Sequence, residues 1–225
     1  MLEPDVTLTD YGLALECAVL AAGLRFGPTS RPELRNAGIF FFVSLGLSAV
    51  TGGTVHGYYP DPQSPESRWL WQLTLQSIGL AAFSTWRLGA GILASGRAAR
   101  RLTLAAIPLL ALYSISALML TQAFWITFTI YLPAALLLLA AFCRAVRRDG
   151  HRFLLLGAAS SVLSFASCFV QFTRISVHPV YFNHNALAHV VQAVALVLLF
   201  LAIRYVAGPD FVKARVAPAA DSSPS

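Results

Sequence analysis

Residues 102–143 read LTLAAIPLLALYSISALMLTQAFWITFTIYLPAALLLLAAFC and contain no Asp, Glu, Lys, Arg or His. As one helix this stretch would be roughly 60 Å long, about twice the roughly 30 Å of hydrocarbon in a bilayer. A break at Thr121 and Gln122 instead gives two helices that cross the bilayer as a tight hairpin. Pro108 and Pro133 lie inside these helices and are expected to bend them. The stretch therefore predicts a polytopic membrane protein.

The composition of the whole chain agrees with this prediction. Of 225 residues, 57% are hydrophobic and 12% are charged, and the mean hydropathy is +0.67. A soluble domain carries about 25% charged residues, so the surface of this chain is suited to lipid. The net charge of +6 and the pI of about 9.7 do not indicate nucleic-acid binding, because the basic residues form no patch interleaved with aromatic residues.

Apolar segments of about 20 residues predict the transmembrane helices. The fold class is all-α, a seven-helix transmembrane bundle within residues 1–206, with Glu16 as the only acidic residue inside a predicted span. Residues 207–225 are rich in Ala, Pro and Ser and are expected to form a disordered cytoplasmic tail. The predicted spans are 11–26, 37–58, 69–93, 102–120, 123–143, 153–173 and 186–206.

The basic residues predict the orientation. Alternate connections and the tail hold most of them, and basic residues mark the cytoplasmic side. An odd number of helices then places the amino terminus outside and the carboxyl terminus in the cytoplasm. We expect a multi-pass protein of the cell (inner) membrane whose partner is membrane lipid. The basic residues assigned to the cytoplasmic side are Arg25, Arg31, Arg35, Arg97, Arg100, Arg101, Arg144, Arg147, Arg148, Arg152, Arg204, Lys213 and Arg215.

Two histidines are predicted to share one depth in the bilayer. His56 precedes the outer end of the second span by about three residues, and His189 follows the outer start of the seventh by about four. At 1.5 Å per residue, both lie roughly 5 Å below the outer interface. Paired imidazoles on facing helices are suited to zinc. Haem ligation and plain hydrogen bonding at the interface remain alternatives.

Further polar residues accompany this pair. His184 is the candidate third zinc ligand if it lies on the incoming loop, and Asn185 is expected either to cap the seventh helix or to share the face of His189. Gln72 and Gln76 lie one turn apart on the third span. They are expected either to orient a metal ligand or, as the favoured reading, to hydrogen-bond between helices.

These residues resemble the CREST superfamily of seven-helix membrane proteins, which includes alkaline ceramidases and adiponectin-receptor-like proteins. In that superfamily a His near the end of the second helix and an HxxxH pattern in the seventh bind zinc for lipid amide hydrolysis. His56 and His189 match two of these positions. Asn185 stands where the first His of HxxxH belongs, and Gly52 stands where a Ser belongs, with Ser48 one turn earlier.

The resemblance implies a zinc-dependent hydrolase of lipid amide or ester bonds. Its zinc would be held by His56, His184 and His189, and Asp61 or Glu66 would serve as proton acceptor if the outer loop folds back over the site. The alternative is a non-enzymatic membrane sensor, small transporter or assembly partner in which the histidines serve packing or a pH response.

Overall fold

The computed structural model describes residues 3–178 and 180–211. Within these residues the chain forms seven α-helices and no strand, apart from one isolated bridge between His178 and Phe182. The all-α prediction is confirmed for this part of the chain. The helices are α1 (Pro4–Arg25), α2 (Pro32–Tyr58), α3 (Pro65–Leu93), α4 (Gly96–Met119), α5 (Ile126–Asp149), α6 (Arg152–Thr173) and α7 (His184–Ala207).

Local sequence signals set the ends of the helices. Proline occupies the first position of α1, α2 and α3, where its missing N–H group would have no helical partner in any case. Gly150 and Arg174 adopt the left-handed conformation after α5 and α6, with φ of 63° and 55°. Pro108 and Pro133 lie inside continuous helices α4 and α5.

Six helices are long and apolar enough to cross a bilayer, namely all of those described except α3. This set is typical of a multi-pass integral membrane protein. Helix α3 is more polar, and it is also packed against α2, α4 and α5. Its polar side chains therefore lie largely against protein. They include the buried residues Ser67, Gln72, Thr74, Ser77, Ser84 and Thr85.

The helices pack as a closed ring. Each helix of the ring contacts the next in the order α1, α2, α3, α5, α6, α7, and α7 contacts α1 to close the ring. Helix α4 is not part of the ring and packs on the outside of α3 and α5. Large apolar side chains, among them Phe41, Phe42 and Phe142, fill the half of the ring nearest the α1–α2 connection. The opposite half is less tightly filled and contains a cavity.

The first helix begins earlier than the first predicted span. Helix α1 begins at Pro4 and not near Tyr11, so Asp5 and Asp10 lie in the helix together with Glu16. Glu16 is therefore not the only acidic residue of this helix. Pro4 at the first helical position and Asp5 in the first turn favour an early start, because proline is preset for the helix and a carboxylate stabilises its amino end.

The segment after α7 is described only in part. Residues 208–211 continue beyond the helix, and Phe211 is fully buried. The remainder of the predicted disordered tail, residues 212–225, lies outside the described residues.

Candidate functional site

A cavity of about 480 Å³ lies in the half of the ring near the α2–α3 connection. Its walls come from all six ring helices and from the segment before α5, and no residue of α4 contributes. One part of the wall is aromatic, formed by Trp71, Phe124, Phe128, Tyr131 and Phe172. Another part carries charged, imidazole and amide side chains, namely Asp10, His56, Gln171, Arg174, His184, Asn185, His189 and Gln192. The cavity is therefore amphipathic, as a site for an amphiphilic molecule must be.

The three histidines predicted from the sequence all line this cavity. His56 lies in the last turn of α2, where its Nδ1 donates to Glu3 Oε2 at 2.9 Å. His189 lies in the second turn of α7, and its Nδ1 is 3.0 Å from Thr9 Oγ1. His184 is the first residue of α7. The helix register therefore brings the three side chains to one space.

The hydrogen bonds of Thr9 determine the tautomer of His189. Thr9 Oγ1 is 2.9 Å from the Asp5 carbonyl and 3.0 Å from the Val6 carbonyl, and both oxygens can only accept. The single hydroxyl proton is therefore donated to the backbone, and Thr9 Oγ1 accepts the proton of His189 Nδ1. In a neutral imidazole this arrangement leaves the Nε2 lone pair free.

Asp10 is the acidic residue that faces this lone pair. Its Oδ1 lies 3.5 Å from His189 Nε2, and the residue is 6% exposed. Two acceptor atoms at this separation repel each other unless a shared proton or a bound cation lies between them. Asp10 was missed by the sequence analysis, which placed it outside the first span.

The pattern of α1 contained the signal for Asp10. The buried positions of this helix recur every three or four residues, and the same spacing extended backwards from Leu13 reaches Asp10 and then Val6. These buried positions form one stripe along the helix. The stripe is apolar except at Asp10, whose carboxylate lowers the hydropathy of the amino-terminal turns. Its members are Val6, Asp10, Leu13, Cys17, Leu20 and Leu24.

The capping of α7 differs from the prediction. Asn183, and not Asn185, is the N-cap residue, and its side chain accepts from the backbone N–H groups of Asn185 and Ala186. Asn185 instead lines the cavity, and its Oδ1 accepts from Gln171 Nε2 at 3.3 Å. The cap prediction for Asn185 is therefore wrong by two residues, because the helix begins earlier than the span.

Of the three further residues predicted to support the site, Ser48 lies at the cavity, whereas Gln72 and Gln76 lie at the contact between α3 and α4. Ser48 lines the cavity and donates to the Leu45 carbonyl. Gln72 and Gln76 point to α4, where their side-chain amides donate to the carbonyls of Ala117 and Ser114 at 2.7 and 3.4 Å. These bonds join α3 to α4, which is the favoured interpretation from the sequence.

The two acidic residues predicted as proton acceptors lie elsewhere. Asp61 is an exposed loop residue whose Oδ1 accepts from the Gln63 N–H group, and Glu66 is exposed in the first turn of α3. Neither residue lines the cavity.

The predicted zinc ligands do not form a preassembled site. Among residues 3–178 and 180–211, no three His, Cys, Asp or Glu side chains converge as a metal site. The closest approach to one is the pair His189 and Asp10, with His56 in the same cavity but directed to Glu3.

Residues 6–207 match the family described as "Family of unknown function (DUF6962)". The chain belongs to this family. The matched region runs from the first turn of α1 to the last residue of α7, so the whole ring and its cavity are part of the family's shared sequence. No curated protein and no solved structure matches the chain. The relationship of this DUF6962 member to the CREST superfamily stays a prediction.

Proposed function

We propose that the cavity is the active site of a zinc-dependent hydrolase that cleaves amide or ester bonds of membrane lipids. The observation that supports this function best is the pair of acceptor atoms, Asp10 Oδ1 and His189 Nε2, held 3.5 Å apart in a cavity that also contains His56. Adjacent ligand atoms of a tetrahedral zinc ion, each about 2.05 Å from the metal, are about 3.4 Å apart. The separation of the pair suits two neighbouring ligands.

The orientation of the two imidazoles also supports metal binding. His56 Nδ1 is bonded to a carboxylate and His189 Nδ1 to a hydroxyl. Histidine ligands in metal sites are commonly held through the other ring nitrogen in this way, which fixes the tautomer and leaves Nε2 for the metal. Because no three ligands converge among the described residues, the His56 side chain must move toward Asp10 to complete the set. In this proposal Asp10 replaces His184 as the third ligand, and His184 remains beside the site.

The chemistry of the site follows from this donor set. When bound, zinc supplies a water molecule whose pKa is lowered toward about 7. Gln171 holds the Oδ1 of Asn185, so the Nδ2 group of Asn185 is left to donate to the carbonyl oxygen of a substrate. Gln192 lines the same wall, where its Nε2 donates to Ser164 Oγ at 3.3 Å. The chain itself therefore supplies polar groups that can orient a scissile carbonyl.

The aromatic wall suits the apolar part of a lipid. Phe128 and Phe172 pack with ring centroids 4.6 Å apart, and Phe124 connects them to Trp71. This surface can accept an acyl chain while the amide or ester group lies toward the histidines. No large domain outside the helices is available to hold a soluble polymer within residues 3–178 and 180–211.

We further propose that α3 crosses the membrane with the other six helices, which gives seven crossings. Its 29 residues span roughly 43 Å at 1.5 Å per residue, enough for a bilayer. Its low hydropathy does not argue against crossing, since its polar groups bond to α2 and α4. Thr74, for example, bonds to Thr51 of α2 at 2.8 Å, and Tyr113 of α4 donates to the Leu75 carbonyl. In this proposal the amino terminus lies outside and the carboxyl terminus in the cytoplasm, which agrees with the expectation that arginines lie mainly on the cytoplasmic side.

A non-enzymatic role is favoured by a different observation. The start of the chain is bonded to two other helices, through Glu3 to α2 and through Asp5 and Thr9 to α7 and its cap. Such contacts would stabilise the packing of the bundle without any catalytic role. In this alternative Asp10 and His189 share a proton and bind no metal. The protein would then act as a sensor, small transporter or assembly partner.

Metal analysis of the detergent-purified protein distinguishes the two functions. We expect close to one zinc per chain, with strong loss in Asp10→Asn and His189→Gln and no loss in Glu66→Gln, an exposed acidic control. Hydrolysis of a fluorescent N-acyl sphingoid amide and of a fluorescent phosphatidylcholine, both in mixed micelles, should fall in parallel with the zinc content. A folded wild-type protein that binds no zinc at micromolar free metal would exclude the hydrolase and leave the packing role.

A further inference from the structure

A second cavity lies at the opposite end of the bundle. Its volume is about 790 Å³, and it is bounded by the start of α2, the end of α3 and the start of α4. Three arginines, Arg31, Arg87 and Arg100, line it together with one carboxylate, Glu33. The lining therefore carries two positive charges in excess, and none of its residues lines the histidine cavity.

Arg31 has an incomplete set of partners. Its Nη2 donates to the Gly91 carbonyl at 2.7 Å, its Nε donates to Glu33 Oε1 at 3.1 Å, and the guanidinium lies 5.9 Å from the centre of the Phe211 ring. The Nη1 atom is buried and has no hydrogen-bond partner among the described residues. A buried guanidinium nitrogen without an acceptor is unfavourable, because the group has lost its hydrogen bonds to water and gained none in exchange. An acceptor group in the cavity would remove this penalty.

The start of α4 also lacks a counterion. Ser95 precedes the helix without capping it through its side chain, and the first turn contains no acidic residue. Arg97 and Arg100 instead place positive charge near the amino end of the helix, where the macrodipole is already positive. Free N–H groups and arginines at a helix start together favour an anion.

The remaining arginines have no competing carboxylate. Neither Arg87 nor Arg100 forms an ion pair within residues 3–178 and 180–211, and Glu33 already bonds to Arg31 Nε. The three arginines that line the cavity come from three segments, one each from the start of α2, the end of α3 and the start of α4. A planar carboxylate offers two oxygens, whereas a phosphate offers oxygens in several directions and suits this arrangement better.

We propose that this cavity binds a phosphate group through Arg31, Arg87, Arg100 and the amino end of α4. Two sources share this chemistry, the headgroup of an anionic phospholipid, which carries no cation of its own, and free phosphate. The site lies at the end of the bundle, at the level where helices leave the apolar region. Basic pockets between transmembrane helices at this level bind anionic headgroups. The site is independent of the proposed hydrolase, because it shares no residue with the histidine cavity.

Thermal unfolding of the full chain in nanodiscs tests the proposal and separates the two sources. Nanodiscs of phosphatidylglycerol are compared with nanodiscs of phosphatidylcholine, and inorganic phosphate at millimolar concentration is added to the latter. Stabilisation by phosphatidylglycerol alone identifies a headgroup site, and stabilisation by inorganic phosphate identifies a site for the free ion. Either result supports the phosphate site.

Variants show whether the cavity is responsible. Arg87→Gln and Arg100→Gln should each remove most of the stabilisation, equivalent to a loss of affinity of roughly tenfold or more. Arg97→Gln, which removes the same charge from the same helix start but does not line the cavity, should retain it. Arg31 is left unchanged because it also bonds to α3 and is needed for packing. The proposal is overturned if neither probe stabilises the wild type, or if Arg97→Gln loses as much stabilisation as the two cavity variants.

Discussion

Asp10 Oδ1 and His189 Nε2 lie 3.5 Å apart across the contact between the first and last helices of the bundle. The same contact contains the bond of Thr9 to His189 and that of the Asn183 N–H group to Asp5 Oδ2 at 2.9 Å. The beginning of the chain therefore closes the ring against α7, and this closure also forms one wall of the cavity. Changes at this contact should affect stability and metal binding in different ways.

Thr9→Val separates these two effects. Valine has nearly the shape of threonine but cannot accept the Nδ1 proton of His189, so the imidazole loses the group that fixes its tautomer. We expect zinc affinity to fall roughly 10–100-fold, while the free energy of unfolding falls by only about 1 kcal/mol. Competition with a chromophoric chelator measures the affinity.

The matched control is Thr129→Val. The Thr129 hydroxyl bonds to the Ile126 carbonyl of its own helix at 2.6 Å, and it does not line the cavity. Its zinc affinity should equal that of the wild type. Equal affinities in Thr9→Val and the wild type would show that Thr9 does not orient a ligand.

Gly53→Ala should be strongly destabilising, whereas Gly52→Ala should be tolerated. A Cβ atom at Gly53 would lie 2.8 Å from the Asp10 Cβ atom, so α1 and α2 would have to separate. At Gly52 the nearest atom would be Thr74 Cγ2 at 3.6 Å, an ordinary contact. We expect Gly53→Ala to lower the free energy of unfolding by about 1–3 kcal/mol.

Gly52→Ala is the control for Gly53→Ala. Alanine favours helix over glycine by about 1 kcal/mol, so Gly52→Ala should be neutral or slightly stabilising. Denaturant unfolding in detergent, followed by tryptophan fluorescence, measures both. Similar stabilities for the two variants would contradict the close approach of α1 to α2.

The sequence was sufficient to predict the helices and the grouping of the histidines. Uncharged apolar stretches of bilayer length predict most of the helices, and counting residues along the second and seventh predicted spans predicts that His56 and His189 lie near each other, as their shared cavity shows. Both predictions depend only on position along a helix axis. Such positions are fixed by the rise per residue and need no knowledge of the packing.

The rotation of each helix could not be obtained in the same way. Gln72 and Gln76 face α4, while Asp61 and Glu66 do not reach the cavity, because side-chain direction depends on which neighbours a helix packs against. Asp10 was missed for a related reason. A carboxylate lowers hydropathy, yet here it lies in the buried stripe of α1, where α7 and not lipid surrounds it.

Asn183→Ala should destabilise α7 at the edge of the cavity. The Asn183 side chain accepts from two N–H groups at 2.9 and 3.2 Å, and alanine leaves both without this partner. Loss of such a cap lowers the free energy of unfolding by about 0.5–2 kcal/mol.

Asn183→Ser keeps an oxygen that can cap the helix and should retain most of the stability. Thermal unfolding in detergent compares the two variants with the wild type. If the serine variant is as unstable as the alanine variant, the cap is not the source of the effect.

The crossing of α3 can be tested with two cysteine variants of the full chain. Gln63 lies in the exposed connection before α3 and Ser95 in the exposed connection after it. If α3 crosses with the proposed orientation, a membrane-impermeant maleimide should label Gln63→Cys in intact cells. Ser95→Cys should be labelled only after the membrane is permeabilised.

The unsubstituted chain gives the background for this experiment, because Cys17, Cys143 and Cys168 all lie within helices. Labelling of both variants from the same side would mean that α3 does not cross, which would leave six crossings and place both ends of the chain in one compartment. Labelling of Ser95→Cys alone in intact cells would reverse the orientation. The histidine cavity would then open toward the cytoplasm, and the arginine-lined cavity would face outward. The labelling pattern of the two variants therefore determines which leaflet could supply a lipid to each cavity.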